Sequence, residues 1–508
     1  MSTLRKFVVA LFVVFLHYSS QIASRSAEQN RYWDQWGLAD VVAILLGMTL
    51  LAFVALGMDL LVLRLSSDTL KRLFNHLFLV ALTSGVLAAS PRFTRDCPNV
   101  TALIWMGAMA VIGYSFGRRE TRLVRYAANF CLVFSPAVII VSAPMFTWST
   151  WNQPAEHLPA VDTKDGSGTP VFVFVFDGWS YQRTMDGGQL RPSFGNLRRL
   201  CEESILFREA RSPYHSTELS LPRLIFQTDR QFVTRHGEVH CEDGEASVPA
   251  RTLPSLFQLG RQHGYTSYVL GFRIPYRHIL GDQVDYCWVC GGAMQDFQLP
   301  GKLLTRFAEN VQYFSDPVSQ REWIPLSAWI IGRRRHQQFQ AYQEQMNAIL
   351  ERSRKPTFAL LHMPLPHEPF VFQPDGSYYG PVARMDVPED YRRQLKYLDA
   401  VIGQIVQELR ANGDFDKSLI VMTSDHSWRS DPDPTLRDDP DWRRRVPLII
   451  KLPGQKSGLI VDDELCTNQL KPLFESVFSG QRDPQRLMAL IRGISGPSHE
   501  SVVPAPAE

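Results

Sequence analysis

Apolar positions follow two regimes along this chain. The first 147 residues hold long apolar stretches, and the remainder alternates short apolar runs with polar segments. Five stretches, at about 6–24, 38–63, 73–90, 101–117 and 125–147, read as membrane-crossing helices; a crossing takes roughly 20 apolar residues. The second and fifth carry the fullest pattern, and the third and fourth are short but almost free of charge. The first also fits a signal peptide, because Arg5-Lys6 precedes the apolar run 7–16 and His17, Tyr18, Ser19 and Ser20 close it. Arg64, Lys71 and Arg72 follow the second stretch, and Arg118, Arg119, Arg122 and Arg125 follow the fourth. The alternate loops carry only Arg25 and Arg31, then Arg92 and Arg95. That bias puts the amino terminus inside and Trp148 onward outside. Cleavage after the first stretch leaves the same topology. The bundle is expected chiefly to anchor, with holding a lipid substrate as a further role.

Residues 148–169 are polar and proline-containing, as in a linker. Beyond them, 171–176, 266–271, 358–361, 419–422 and 446–450 are short apolar runs of the kind that form buried strands. Residues 192–204 (Phe194, Leu197 and Leu200 on one side), 252–263, most of 292–352, and 388–411 read as helices. Helices alternating with apolar strands imply a doubly wound, mostly parallel α/β sheet. The expected organisation is a transmembrane domain at 1–147, a linker at 148–169, a catalytic domain at 170–485 and a flexible tail at 486–508, rich in Ser, Pro and Ala toward its end.

Composition refines this picture in two places. The formal charge of +2, with no basic tract interleaved with aromatics, excludes a nucleic-acid partner from the expectations. Of seven cysteines, five lie in the outer domain: Cys201, Cys241, Cys287, Cys290 and Cys466. An outside location permits disulfides, and one involving some of these is expected. Cys287 and Cys290 form a C-x-x-C, but no second such pair completes a zinc ribbon and no thioredoxin-like pattern surrounds it.

The chemistry sits at two strand ends. The run 171–176 leads into Asp177-Gly178, and 419–422 leads into Thr423-Ser424-Asp425-His426. In an open α/β sheet, ligands gather at the carboxyl ends of strands. The topology therefore brings Asp177, Asp425 and His426 to one spot, and carboxylates with an imidazole suit a divalent ion such as zinc or manganese. Either acid alone reads equally well as a turn or a helix cap.

Further landmarks lie between and beyond these ends. They are Thr217-Glu-Leu-Ser220-Leu-Pro222, the segment from His362 through His367 to Pro369, the helix with Tyr397-Leu-Asp399, and Val446-Pro-Leu448 running on to Leu452-Pro-Gly454. In order and spacing the chain resembles the alkaline phosphatase/sulfatase superfamily. Within it, the chain resembles the membrane-anchored phosphoethanolamine and phosphoglycerol transferases, which carry five spans before a periplasmic domain. The resemblance implies a sulfatase-like catalytic domain in a multi-pass protein of a bacterial inner membrane, with the domain in the periplasm. It implies Thr217 as a metal-bound nucleophile, with Ser216 and Ser220 as competitors and an N-cap as its bland role. It implies Asp177, Thr217, Asp425 and His426 around a divalent metal, zinc first, with manganese or magnesium as alternatives. His367 matches a histidine that binds substrate phosphate or a second metal, and is a candidate general acid. His215 is a further candidate substrate contact, and His362 a supporting residue.

Three departures stand out. Asp177 replaces the glutamate usual in the phosphoethanolamine transferases. No histidine follows His426 until His499, so Arg429 or an arginine of 443–445 is the candidate anion binder in its place. Ser220-Leu-Pro-Arg223 misses the C/S-x-P-x-R pattern of formylglycine sulfatases by one residue. The expected function is transfer of a phospholipid-derived phospho-alcohol group, phosphoethanolamine-like, to a glycan or lipid-sugar acceptor. The alternatives are a membrane-anchored sulfatase or phosphodiesterase and, third, an inactive scaffold.

Overall fold

A computed structural model describes residues 168–235, 238–244, 246–272, 274, 276–290, 325–351, 356–380 and 387–494, with Gly57 besides. Apart from Gly57, the five expected spans lie outside the described residues, as does the linker up to residue 167. Among the described residues no helix is long and apolar enough to cross a membrane.

The described residues are built on an eight-stranded sheet. In chain order its strands are β1 (Val171–Phe176), β2 (Ile205–Phe207), β3 (Thr266–Phe272), β4 (Tyr286–Cys290), β5 (Thr357–Met363), β6 (Leu419–Ser424), β7 (Leu448–Lys451) and β8 (Leu459–Val461). Their order across the sheet is β4-β3-β5-β1-β6-β7-β2-β8. The sheet is mostly parallel, with β7 alone running against both its neighbours. β1 lies between β5 and β6 in a register that aligns Phe176 with Met363 on one side and Ser424 on the other. The three central strands therefore end level, and the residues just past them share one edge.

Alternation along β1 shows how the layers form. Successive side chains of a strand point to opposite faces. Val171, Val173 and Val175 pack on one face with α2 (Thr217–Phe226), α3 (Leu256–Gln262), α6 (Lys471–Phe478) and α7 (Pro484–Ile494). Phe172, Phe174 and Phe176 pack on the other with α1 (Gly195–Cys201), α4 (Pro325–Glu351) and α5 (Pro388–Ala411). All six are buried, at about 1.5–3 kcal/mol for each side chain removed from water.

Several boundaries differ from the sequence reading. The helix expected at 192–204 is confined to Gly195–Cys201, since Phe194 before it has a non-helical backbone. The strand expected at 446–450 starts at Leu448, because Pro447 has no N–H to give the ladder. The flexible tail does not begin at 486: α7 continues to Ile494, and Leu487 and Ile491, four apart, are buried on its inner face. Of the stretch 292–352, residues 325–351 are helical and 292–324 lie outside the described residues. A three-stranded antiparallel ribbon, Gln231–Arg235, Glu238–Asp243 and Ala246–Pro249, was not anticipated.

Among the described residues Cys201 and Cys466 stand outside any disulfide, and the strand keeps Cys287 and Cys290 from pairing with each other. Cys287 and Cys290 lie three apart on β4, so they face opposite sides of the sheet, one in each core.

Candidate active site

The level strand ends place the site. Asp177 follows β1, and Asp425 and His426 follow β6. Asp425 Oδ1 accepts from the N–H of Gly178 at 3.0 Å and from that of His426 at 2.9 Å. Ser424 Oγ accepts from the N–H of Trp179 at 2.8 Å and lies 2.5 Å from the carbonyl of Phe176. These bonds stitch the two loops together across 247 residues. Gly178 makes the turn at φ +76°, in the left-handed region that costs glycine nothing.

Asp177, Asp425 and His426 converge, with one ligand atom from each inside a span of 4.8 Å. His426 Nε2 lies 3.6 Å from Asp177 Oδ1 and 3.4 Å from Asp425 Oδ2. All three residues are buried. Donor atoms held about 2.1 Å from a tetrahedral ion stand about 3.4 Å apart, so the donor set fits a divalent cation in spacing as well as in type. The imidazole is oriented for that role. Its Nδ1 faces the carbonyl of Ser427 at 2.7 Å, which makes Nδ1 the N–H donor and leaves the Nε2 lone pair toward the carboxylates. Burial lowers the His426 pKa, against the opposing pull of Asp425, and so favours the neutral ring. Burial pushes the Asp425 carboxyl up, but His426, His362, the Thr217 hydroxyl and the Gly178 N–H together hold it below its ordinary value. Among the described residues the ion-pair partners of Asp425 are two histidines, not a lysine or arginine.

Thr217 opens α2. Ser216, not Thr217, is the N-cap, and its side chain makes no capping bond. The Thr217 hydroxyl instead lies 3.1 Å from His426 Nε2. Ser220 is buried one turn further into the helix.

His367 reaches the cluster from the loop after β5, with Nε2 3.9 Å from Asp177 Oδ1 and Nδ1 2.6 Å from the carbonyl of Glu368. His362, read from the sequence as a supporting residue, is fully buried on the inner side, 3.7 Å from Asp177 Oδ2 and 4.0 Å from Asp425 Oδ2. Its contact with both carboxylates follows from the register that pairs it with Val175.

His215 and Arg429 do not touch the cluster; both are exposed at its rim. His215 stacks on Tyr214 at 4.1 Å. Desolvation there and the charges of Arg443, His426, Arg429 and Arg444 lower its pKa. Arg443 is tied in by its carbonyl, which accepts from the N–H of Ser427 at 2.7 Å. The carbonyl of Arg444 accepts from the N–H of Ser212, also at 2.7 Å. Arg335 of α4 was missed: it lies over the Phe272 ring at 4.6 Å and donates to the carbonyl of Glu368 at 3.1 Å. The basic run 333–335 was its only trace in the sequence. Burial raises the Glu368 carboxyl, and His367, its own N–H, Arg429 and His426 more than reverse that.

Residues 170–471, more than half of the chain, match the family model described as Sulfatase. The chain belongs to the sulfatase family. A segment of 121 residues is 28% identical to lipoteichoic acid synthase 1 of Bacillus subtilis (strain 168), covering 22% of this chain and 19% of that protein. Solved structures similar to it include a sulfatase from Pseudoalteromonas sp. (TM-score 0.41, 15% identity, 63% of this chain and 69% of that chain). The phosphonate monoester hydrolase of Agrobacterium radiobacter gives TM-score 0.41 and 16% identity over 61% of this chain and 74% of that one. The lipoteichoic acid synthase LtaP of Listeria monocytogenes gives TM-score 0.37 and 13% identity over 64% and 77%. Sulfatase-family enzymes depend on a metal, and the buried Asp177, Asp425 and His426 are the group here that fits one.

Proposed function

We propose that this sulfatase-family protein transfers a phospholipid-derived phospho-alcohol group to a cell-envelope acceptor through a covalent phosphothreonine on Thr217. One observation carries the reading: the Thr217 hydroxyl opens α2 and points into the Asp177, Asp425 and His426 cluster. A divalent ion, zinc by preference and manganese or magnesium otherwise, would be held by those three residues with Thr217, and supplies the positive charge that acidifies a hydroxyl and neutralises a phosphoryl group.

The chain's own groups divide the remaining work. The amino end of α2 offers its positive dipole to the phosphate. Thr217 Oγ, its proton already lost to solvent, forms a bond to phosphorus as the bond from phosphorus to the lipid glyceryl oxygen breaks. His367 Nε2, when protonated, gives its proton to that leaving oxygen, and diacylglycerol departs. In the second half an acceptor hydroxyl loses its proton to His367 as its oxygen bonds phosphorus and the threonine ester breaks. Arg429 and Arg443 have no carboxylate within ion-pair distance among the described residues, and are the cations left to meet substrate anions. The donor is a membrane phospholipid, and the acceptor a glycan or lipid sugar. The site lies on the periplasmic side of a bacterial inner membrane, anchored by the amino-terminal spans. The partial likeness to lipoteichoic acid synthase 1, a protein named as a synthase, supports transfer over hydrolysis.

Intact mass of the full chain in detergent, after incubation with phosphatidylethanolamine or phosphatidylglycerol, tests this. The expected result is a mass increase of one head-group phosphate that persists in Ser220→Ala, is reduced in Thr217→Ser and is absent in Thr217→Ala. No adduct from either lipid, with phosphate or sulfate esters cleaved, would replace transfer by hydrolysis.

A further inference from the structure

Each loop at the site is held from behind by the same buried side chain. Tyr391 lies in the first turn of α5, fully buried. Its hydroxyl donates to the carbonyl of Gly178 at 2.8 Å and accepts from the N–H of Ser180 at 2.9 Å. Those backbone groups belong to the loop that begins with Asp177. The ring of Tyr391 stacks on Trp428 at 4.3 Å with planes 8° apart. Trp428 is two residues beyond His426. Phe370 packs edge-on against both, 5.5 Å from Tyr391 and 5.8 Å from Trp428. Phe370 is three residues beyond His367.

We infer that Tyr391 is a positioning residue that holds the loops after β1, β5 and β6 in the mutual arrangement Asp177, His367, Asp425 and His426 require. The inference rests on the reading of Asp177, Asp425 and His426 as metal ligands. Its physical basis is that ligand side chains are aimed by what lies behind them, and loosening that support degrades metal affinity even when every ligand remains. Burial raises the Tyr391 phenol well above its ordinary value, so it stays a donor over the working pH range. One residue thus couples two hydrogen bonds on the first loop to aromatic contacts on the other two. A phenylalanine would fill the same core space and make neither hydrogen bond.

Tyr391→Phe removes the hydroxyl and keeps the ring. Tyr342→Phe is the matched control: Tyr342 is equally buried, but its hydroxyl donates to the carbonyl of Leu270 inside β3, at 3.2 Å. The measurement is zinc and manganese affinity of the full chain in detergent, by competition with a chromophoric chelator, together with the melting temperature of metal-free protein. Tyr391→Phe is expected to weaken metal binding by about 10–100-fold while Tyr342→Phe binds as wild type, with both melting lower than wild type. Equal metal affinity in Tyr391→Phe and wild type would overturn the inference, as would equal losses in both variants. Wild type that binds no metal would instead sink the underlying assignment of the ligands, and the inference with it. If Tyr391→Phe does not fold, Trp428→Leu probes the same clamp from the His426 loop. Weakened metal binding supports the clamp, and wild-type affinity overturns it.

Discussion

The two nitrogens of each site histidine have different tasks. In His426 and His367 alike, Nδ1 is occupied by a nearby backbone carbonyl, at 2.7 and 2.6 Å. That contact directs Nε2 to the cluster in both, but the surroundings separate the roles. His426 Nε2 lies between two carboxylates and the Thr217 hydroxyl, as a ligand should. His367 Nε2 stands off at 3.9 Å from Asp177, where a leaving oxygen has room to approach. His367→Gln is therefore expected to slow formation of the threonine adduct by about 10²–10⁴-fold, the usual worth of general acid catalysis. Chelator competition on the same variant is expected to return wild-type metal affinity. The defect should shrink with a nitrophenyl phosphodiester, whose leaving group needs no proton. An equal loss with both substrates would remove His367 from that role.

Helix and strand ends carry the connections between these residues. The Tyr397-Leu-Asp399 landmark on α5 acquires a physical meaning. Asp399 accepts from the N–H groups of Leu197 at 2.8 Å and Asn196 at 3.1 Å, and so caps the start of α1 from another helix. At the opposite end of the sheet from the site, Lys451 closes β7 fully buried. Its Nζ donates to the carbonyl of Leu452 at 2.9 Å and lies 5.0 Å over the Phe415 ring. Burial pulls its pKa down to about 8, with Asp416 opposing. Because the unfolded chain holds that proton up to its ordinary value of 10.5, burial of the charge costs stability in full below pH about 8, and the cost fades as pH rises toward 10.5. Lys451→Met is thus expected to stabilise the protein by about 1–3 kcal/mol at pH 7. That gain should disappear between pH 8 and 10.5, as followed by denaturant melts. A gain independent of pH would show that burial does not shift the pKa of Lys451.

In the molecule as a whole, the two core layers bring together charges that water would otherwise separate. Asp177 and Asp425 are buried within reach of the same imidazoles, and like charges so placed oppose folding unless a cation joins them. A resident divalent ion should then stabilise the fold by mass action, by about 2.7 kcal/mol at one hundred times its dissociation constant. EDTA is expected to lower the melting temperature of the full chain by several degrees, with zinc or manganese restoring it. The same treatment of Asp425→Ala should produce no shift.

Five strands of the sheet, four helices and the convergence of Asp177, Asp425 and His426 were legible in the sequence, because period-2 and period-3.6 patterns and the residues that end them are local properties, whereas Thr217 and His367 were named by the resemblance. The same locality explains the errors. The C-x-x-C looked like a potential pair until β4 put its two thiols on opposite faces, and the i, i+4 spacing of Leu487 and Ile491 was passed over as tail. Tertiary structure alone decided which side chains meet. Level register among β5, β1 and β6 put His362 under both carboxylates, and the approach of α5 set Tyr391 against Trp428 and behind Gly178. Those contacts join segments that can lie over two hundred residues apart, and chain spacing carries no record of a register set by packing the whole sheet.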